Sequence, residues 1–225
     1  MLETRARELG IRVLHAGTDW RAEQVTHDCG YYRFVANGPS SARLHAELSL
    51  AGEHQVANAL TAIAALDLVG VQHSAIEQGL RQARWPGRLE PVAEAPLILL
   101  DGAHNPAGAR ALARFLTVHH PGRRLWLIYA AMRDKAVEEV AGTLFPLAHQ
   151  VLLTRVSLPR AVSPRALETI VSHHHTHIQV TESLAEALAR ARASASETDI
   201  ILVTGSLFLV GEAKALLHAP RPVMD

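Results

Sequence analysis

From Leu97 onward the chain repeats one unit: a short, unbroken apolar run, a turn, and a helical stretch. The runs are Leu97–Leu100, Leu125–Ala130, Val151–Thr154, Ile178–Val180 and Ile200–Thr204. Helical patterns follow them at Pro106–Val118, Asp134–Leu144, Ser163–Val171, Ser183–Ala193 and Leu207–Leu217. A strand that is apolar at every position has no face to offer water and must be covered on both sides. Strands that alternate with helices pair in parallel, because the crossover helix carries the chain back to the starting edge. The pattern therefore predicts a doubly wound α/β domain, with ligands at the carboxyl ends of its strands.

Before Trp85 the period is different. Residues 1–50 read as strand-rich. Ile11–His15 is a short apolar-leaning run, and Tyr31–Ala36 follows a Cys-Gly turn. Arg43–Leu50 alternates, with Leu44, Ala46, Leu48 and Leu50 on one face, and Asn37-Gly38-Pro39 predicts a hairpin turn before it. Glu53–Val69 then changes to helical spacing, with Val56, Leu60, Ile63 and Leu66 three or four apart. A second helix is predicted over Ser74–Arg84 with Ser74 as its cap, and Trp85-Pro86-Gly87 ends it. A boundary is expected near Trp85–Glu90, dividing the chain into residues 1–85 and 86–225. The first piece is a thin layer whose apolar hairpin and Ala-rich helix need a larger sheet, so it reads as part of a domain. The second is expected to fold as an independent unit and the first to be less stable.

Charge narrows the partners. Lys+Arg and Asp+Glu number 22 each, so no net field draws in nucleic acid or an anionic membrane. No apolar run approaches the roughly 20 residues needed to span a bilayer, and MLETRARELG lacks a secretory pattern. A cytoplasmic location is expected. The single cysteine, Cys29, cannot form an internal disulfide and reads as a small, half-buried apolar residue.

Five constellations carry chemistry. In Leu99-Leu100-Asp101-Gly102-Ala103-His104-Asn105-Pro106 an apolar strand runs into a proline-started helix. Asp101 could accept from ribose hydroxyls and His104 donate to a phosphate or acyl oxygen; equally, Asp101 and Asn105 could only cap the helix. In Pro86-Gly87-Arg88-Leu89-Glu90, Arg88 could reach a phosphate or simply pair with Glu90. In Gly52-Glu53-His54-Gln55-Val56-Ala57-Asn58, His54 and Asn58 share a helix face, and an Asn amide can read an adenine edge. Lys135, after another strand, could bind a carboxylate or open a helix in water. Ser206, in Val203-Thr204-Gly205-Ser206, could hold a carboxylate or cap a helix. The tract His173-His174-His175-Thr176-His177 has no helical ligand spacing and no cysteine partners, so it reads as a solvated loop.

In order, GEHQVANALTAIAAL, WPGRLE, LLDGAHNPAGARAL, YAAMRDKAVEEV, LPRAVSP and VTGSLFLVGEAK resemble folylpolyglutamate synthase and the bifunctional dihydrofolate synthase of the Mur ligase superfamily. The resemblance runs from about Gly52 onward. It implies a Rossmann-like C-terminal Mur ligase domain preceded by the tail of a P-loop-type central ATPase domain. It implies an ATP- and Mg2+-dependent reaction joining L-glutamate to folate or dihydropteroate through an acyl phosphate, in a family whose full-length members are usually monomeric. By resemblance Asn58 reads adenine with His54 beside it, Arg88 reaches the phosphates, Asp101 contacts the nucleotide, and His104 lies near the reacting phosphoryl group. Lys135 and Ser206 match positions that hold the incoming amino acid. The chain carries no G-x-x-x-x-G-K-[ST], and the family's carbamylated lysine would lie upstream of Met1. It is therefore expected to be inactive alone, as a fragment, a truncated gene product or one half of a split enzyme whose N-terminal half is a separate chain. The alternatives are a non-catalytic nucleotide- or amino-acid-binding module and a fragment of a muramyl-peptide ligase.

Overall fold

The computed structural model describes residues 2–133 and 135–218, and the chain divides into two compact units, one up to Trp85 and one from Pro86. In the first, helix α1 (Leu2–Glu8) precedes an antiparallel sheet of β1 (Arg21–Asp28), β2 (Tyr31–Asn37) and β3 (Arg43–Glu47). Helices α2 (His54–Leu68) and α3 (His73–Gln82) complete it. The hairpin predicted at Asn37-Gly38-Pro39 joins β2 to β3, and Leu44, Ala46 and Leu48 face the core as their alternation requires. Leu60 and Ile63 of α2 and Ile76 of α3 close on them, around the fully buried Trp20.

Four expectations for this unit need correction. Ile11–His15 is not a strand; the first strand is β1, whose polar sequence is exposed on both faces and so shows no alternation. Helix α3 begins at His73 with Gln72 as its cap, so Ser74 lies inside it. Leu66 is exposed rather than part of the apolar stripe. Cys29 stands exposed in the tight β1–β2 turn, where it and Gly30 both have positive φ; the adjoining Asp28 raises its thiol pKa, so the thiolate is disfavoured.

The second unit is the expected doubly wound domain. Its elements are β4 (Glu90–Glu94), β5 (Leu97–Leu100), α4 (Pro106–His119), β6 (Leu125–Tyr129), α5 (Val137–Leu144), β7 (Gln150–Leu153), α6 (Pro164–Val171), β8 (Ile178–Val180), α7 (Leu184–Ser194), β9 (Ile200–Thr204) and α8 (Leu207–His218). The sheet order is β4-β5-β9-β6-β7-β8, parallel except for β4. From β5 the chain steps through β6 and β7 to β8, then returns to insert β9 between β5 and β6. Right-handed crossovers put the outward helices on one face and the return helix on the other. Accordingly α4, α5 and α6 pack together, while α7 packs on α8. Ile98, Leu100, Ile128, Leu152, Ile201 and Val203 bury against α7 and α8. Leu99, Leu127 and Leu202, one residue out of step, are also buried, so the strands are apolar throughout because both faces are covered.

Strand β4 was not anticipated: Glu-Pro-Val-Ala-Glu is polar and contains a proline, which an edge strand tolerates. Helix α5 starts at Val137 rather than Asp134, and Asp134 lies outside the described residues. The segment before α5 is drawn into main-chain pairing with the loop after β7. Val162 N–H donates to the Ala131 carbonyl (3.0 Å) and Arg133 N–H to the Arg160 carbonyl (3.2 Å). No described helix is long and apolar enough to cross a membrane.

At the amino edge of the sheet, Asp199 is 2% exposed. It accepts from Arg124 Nη2 (2.8 Å) and Nε (3.2 Å), Trp126 Nε1 (3.1 Å) and the Ser196 N–H (3.0 Å). Burial pushes its carboxyl up, but the Arg124 guanidinium and these N–H donors outweigh that and hold it well below the usual carboxylate range.

Candidate functional site

Strands β5, β9 and β6 are adjacent and parallel, so the loops after them leave the same edge of the sheet. The chain turns from β5 and β6 toward α4 and α5, but from β9 toward α8 on the opposite face. That reversal opens a crevice at the strand ends, where open α/β sheets take ligands. Main-chain bonds tie the loops together: Gly205 N–H donates to the Ala103 carbonyl (3.0 Å) and Ala130 N–H to the Thr204 carbonyl (3.4 Å). Gly205 has φ +101°, and a Cβ there would collide with the Ala130 carbonyl and the Tyr129 ring. Only glycine lets β9 turn this close to β6.

The β5 loop holds two predicted residues in different ways. Asp101 is buried, and its oxygens accept from Ala103 N–H and Leu89 N–H, both at 2.9 Å. It does not cap α4; Asn105 does, accepting from Gly108 N–H at 2.8 Å. Asp101 instead fastens the Arg88-Leu89 segment to the end of β5, with help from Gly102 N–H donating to the Gly87 carbonyl (2.8 Å). His104 is half-buried, and its Nδ1 lies 2.7 Å from the Gly102 carbonyl. A carbonyl only accepts, so Nδ1 carries the proton, and Nε2 is the atom left to meet a ligand.

Arg88 is half-buried and forms no hydrogen bond or ion pair among the described residues. The expected alternative partner, Glu90, is engaged elsewhere: it accepts from Lys214 Nζ (2.6 Å) and Gly87 N–H (2.8 Å). Burial raises the Glu90 carboxyl pKa, yet Lys214 and the Gly87 N–H bring it below the usual range. The Glu90–Lys214 pair anchors the arginine's segment to α8. Sequence reading missed it because the partners lie far apart along the chain.

Ser206 is 2% exposed and caps α8, its Oγ accepting from Phe208 N–H at 3.2 Å. Lys135 lines an open cleft of about 430 Å³ with Arg133, Val137, Glu138, Val162 and Ile170. The pairing of residues 131–133 with 160–162 brings Arg160 into the same loop cluster, a basic position that the sequence did not single out. In the first unit, His54 and Asn58 are exposed on the first turns of α2. The buried Gln55 links them: its Nε2 lies 3.2 Å from His54 Nε2, and its Oε1 accepts from Asn58 Nδ2 at 2.9 Å.

The histidine tract is not a freely solvated loop. His173 and His174 lie in a short 3-10 turn (172–174), and both rings meet Glu138. Among the described residues of the β5, β6 and β9 loops, Asp101 is the one carboxylate, and both its oxygens accept N–H groups. That set does not fit a magnesium ion, which takes six oxygen ligands.

An open α/β domain with a cation and a histidine at its switch-point crevice defines a class of domain built for anionic ligands. Residues 87–207, more than half of the chain, match the family described as Mur ligase, glutamate ligase domain. The chain belongs to the Mur ligase family of ATP-dependent carbon–nitrogen ligases, through its C-terminal domain. It is 35% identical over 174 residues to a probable bifunctional folylpolyglutamate synthase/dihydropteroate synthase of Haloferax volcanii, covering 76% of this chain and 20% of that one. It is 31% identical over 204 residues to the UDP-N-acetylmuramoyl-L-alanyl-D-glutamate–2,6-diaminopimelate ligase of Streptomyces avermitilis, covering 85% and 40%. The structure of Mycobacterium tuberculosis folylpolyglutamate synthase complexed with ADP and AMPPCP superposes with a TM-score of 0.87 at 26% identity, covering 97% of this chain and 52% of that one. The chain thus spans between a fifth and about half the length of these relatives.

Proposed function

We propose that this chain is the C-terminal portion of a ligase that adds L-glutamate to folate or dihydropteroate through an acyl phosphate. The observation that carries the reading is the end of β5, where the β5 loop presents His104 Nε2 and Asp101 fastens the segment of Arg88, which has no partner among the described residues. Arg88 would hold the ATP phosphates, its fork suiting phosphate oxygens. With Nδ1–H held by the Gly102 carbonyl, His104 would act as the imidazolium, donating its second proton from Nε2 to the charge that grows on the transferring phosphoryl group. Asp101 sets Arg88 in place through Leu89 N–H, and would contact the nucleotide from the end of β5. Asn58, with His54 beside it, would read adenine, Gln55 fixing the amide's orientation. Lys135 would pair with a carboxylate of the incoming glutamate, and Ser206 would donate its hydroxyl proton. Magnesium and the phosphate cradle would come from a P-loop-bearing portion, for which this chain has no sequence. We therefore read the chain alone as inactive.

The test is glutamate ligation to dihydropteroate or folate with ATP, by this chain alone and mixed with a P-loop-bearing N-terminal portion. Product is expected only in the mixture. In the mixture His104→Ala should lower kcat by about a hundredfold or more, the scale of a lost transition-state donor, with an unchanged melting temperature. A normal rate in His104→Ala would remove the site assignment. Turnover of a UDP-linked muramyl peptide instead of folate would move the chain to the branch of its Streptomyces avermitilis relative.

A further inference from the structure

We propose that Glu138, His173 and His174 form a binding site for one divalent transition-metal ion of the zinc class. The site lies between the first turn of α5 and the 3-10 turn that follows α6. His173 Nε2 lies 2.7 Å, and His174 Nε2 2.9 Å, from the same Oε1 of Glu138. The three ligand atoms all fall within 4.8 Å of one another. Two imidazole nitrogens and a carboxylate oxygen are the borderline donor set that zinc takes, with water completing a tetrahedron. Zinc bonds of about 2.0–2.1 Å set ligand atoms roughly 3.3–3.4 Å apart in a tetrahedron. An ion could enter with each ring nitrogen parting from the Glu138 oxygen by about half an ångström.

The rings are held for this by their surroundings. His174 is half-buried against Gly142, where a Cβ would stand 3.1 Å from the ring. His175 Nε2 is bonded to the Ala148 carbonyl (3.0 Å), and His175 Nδ1 accepts from His177 N–H (3.1 Å). The second half of the tract is thus fixed to the backbone, while the first half presents two nitrogens to one carboxylate. Glu138 also lines the cleft that holds Lys135 and Arg133. An ion here would therefore pin one wall of that cleft to the end of α6.

Zinc titration of the full, chelator-treated chain, followed by calorimetry, tests this without any ligation assay. Cobalt titration followed by visible absorption reports whether coordination is tetrahedral. One saturable equivalent is expected, with affinity falling at least tenfold in Glu138→Gln and in His173→Ala. The cobalt bands should fade in both variants. His173 is exposed, so its removal spares the fold and keeps the test valid if Glu138→Gln unfolds. The chain has 14 histidines, so the His119→Ala/His120→Ala double variant serves as control and should bind as before. No saturable binding, unchanged affinity in His173→Ala, or an equal loss in the control would overturn the site.

Discussion

Among the described residues of the second unit, two aspartates leave water, each compensated differently. Asp101 is satisfied by main-chain N–H groups, so its place depends on backbone geometry at the site. Asp199 is satisfied by Arg124, Trp126 and Ser196, far from the strand ends that carry the site. A folded pKa below the unfolded one, about 3.9 for aspartate, makes the unfolded chain bind more protons in the window between the two. Stability from Asp199 is therefore fully present at neutral pH. It is lost as pH falls below about 4 and through the depressed folded pKa. Asp199→Asn is expected to cost about 1–3 kcal/mol at pH 7, the range for charged hydrogen bonds with one partly exposed partner. It should also flatten the acid limb of the stability curve below pH 4. Chemical denaturation across pH 2–7 checks both, and an unaltered acid limb would show that Asp199 does not link folding to protons.

At the scale of elements, the site depends on how tightly three strand-to-helix turns can approach one another. The β9–α8 turn does so through Gly205, whose positive φ and missing side chain let its N–H reach the Ala103 carbonyl. Gly205→Ala is expected to destabilise the domain by more than about 2 kcal/mol, combining an unfavourable φ with contact against backbone. The melting temperature checks this; a loss no larger than that of an exposed-loop substitution would show that the turn can open at little cost. The capping of α4 by Asn105 and of α6 by Ser163 followed from local chemistry. The start of α5 did not, because its first residues are taken by pairing with a loop almost thirty positions away.

On the scale of the whole molecule, the two units differ in what they can bury. The second encloses a six-stranded sheet between two groups of helices, while the first closes a single core on three strands whose edge strand β1 is exposed on both faces. Residues 86–225 expressed alone should give a cooperative thermal transition in circular dichroism, and residues 1–85 alone should give none. A protease-resistant fragment beginning before Gly52 would contradict this. The chain spans about half the length of the Mycobacterium tuberculosis structure it matches.

The alternation of apolar runs with helical spacing was enough to determine the doubly wound domain, since burial on both faces leaves its mark at every strand position. The motifs at the strand ends placed Asp101, His104, Lys135 and Ser206 at turns leaving one edge of the sheet for the same reason. Strands β1 and β4 were illegible because edge strands facing water carry polar residues that mimic loops. Tertiary structure alone decided which partner each charged group took. It gave Glu90 to Lys214 rather than Arg88, closed Asp199 on Arg124, and brought Glu138 to a histidine tract that seemed bare along the chain. Such pairings fall off within a few ångströms and join residues tens of positions apart, so no local pattern records them.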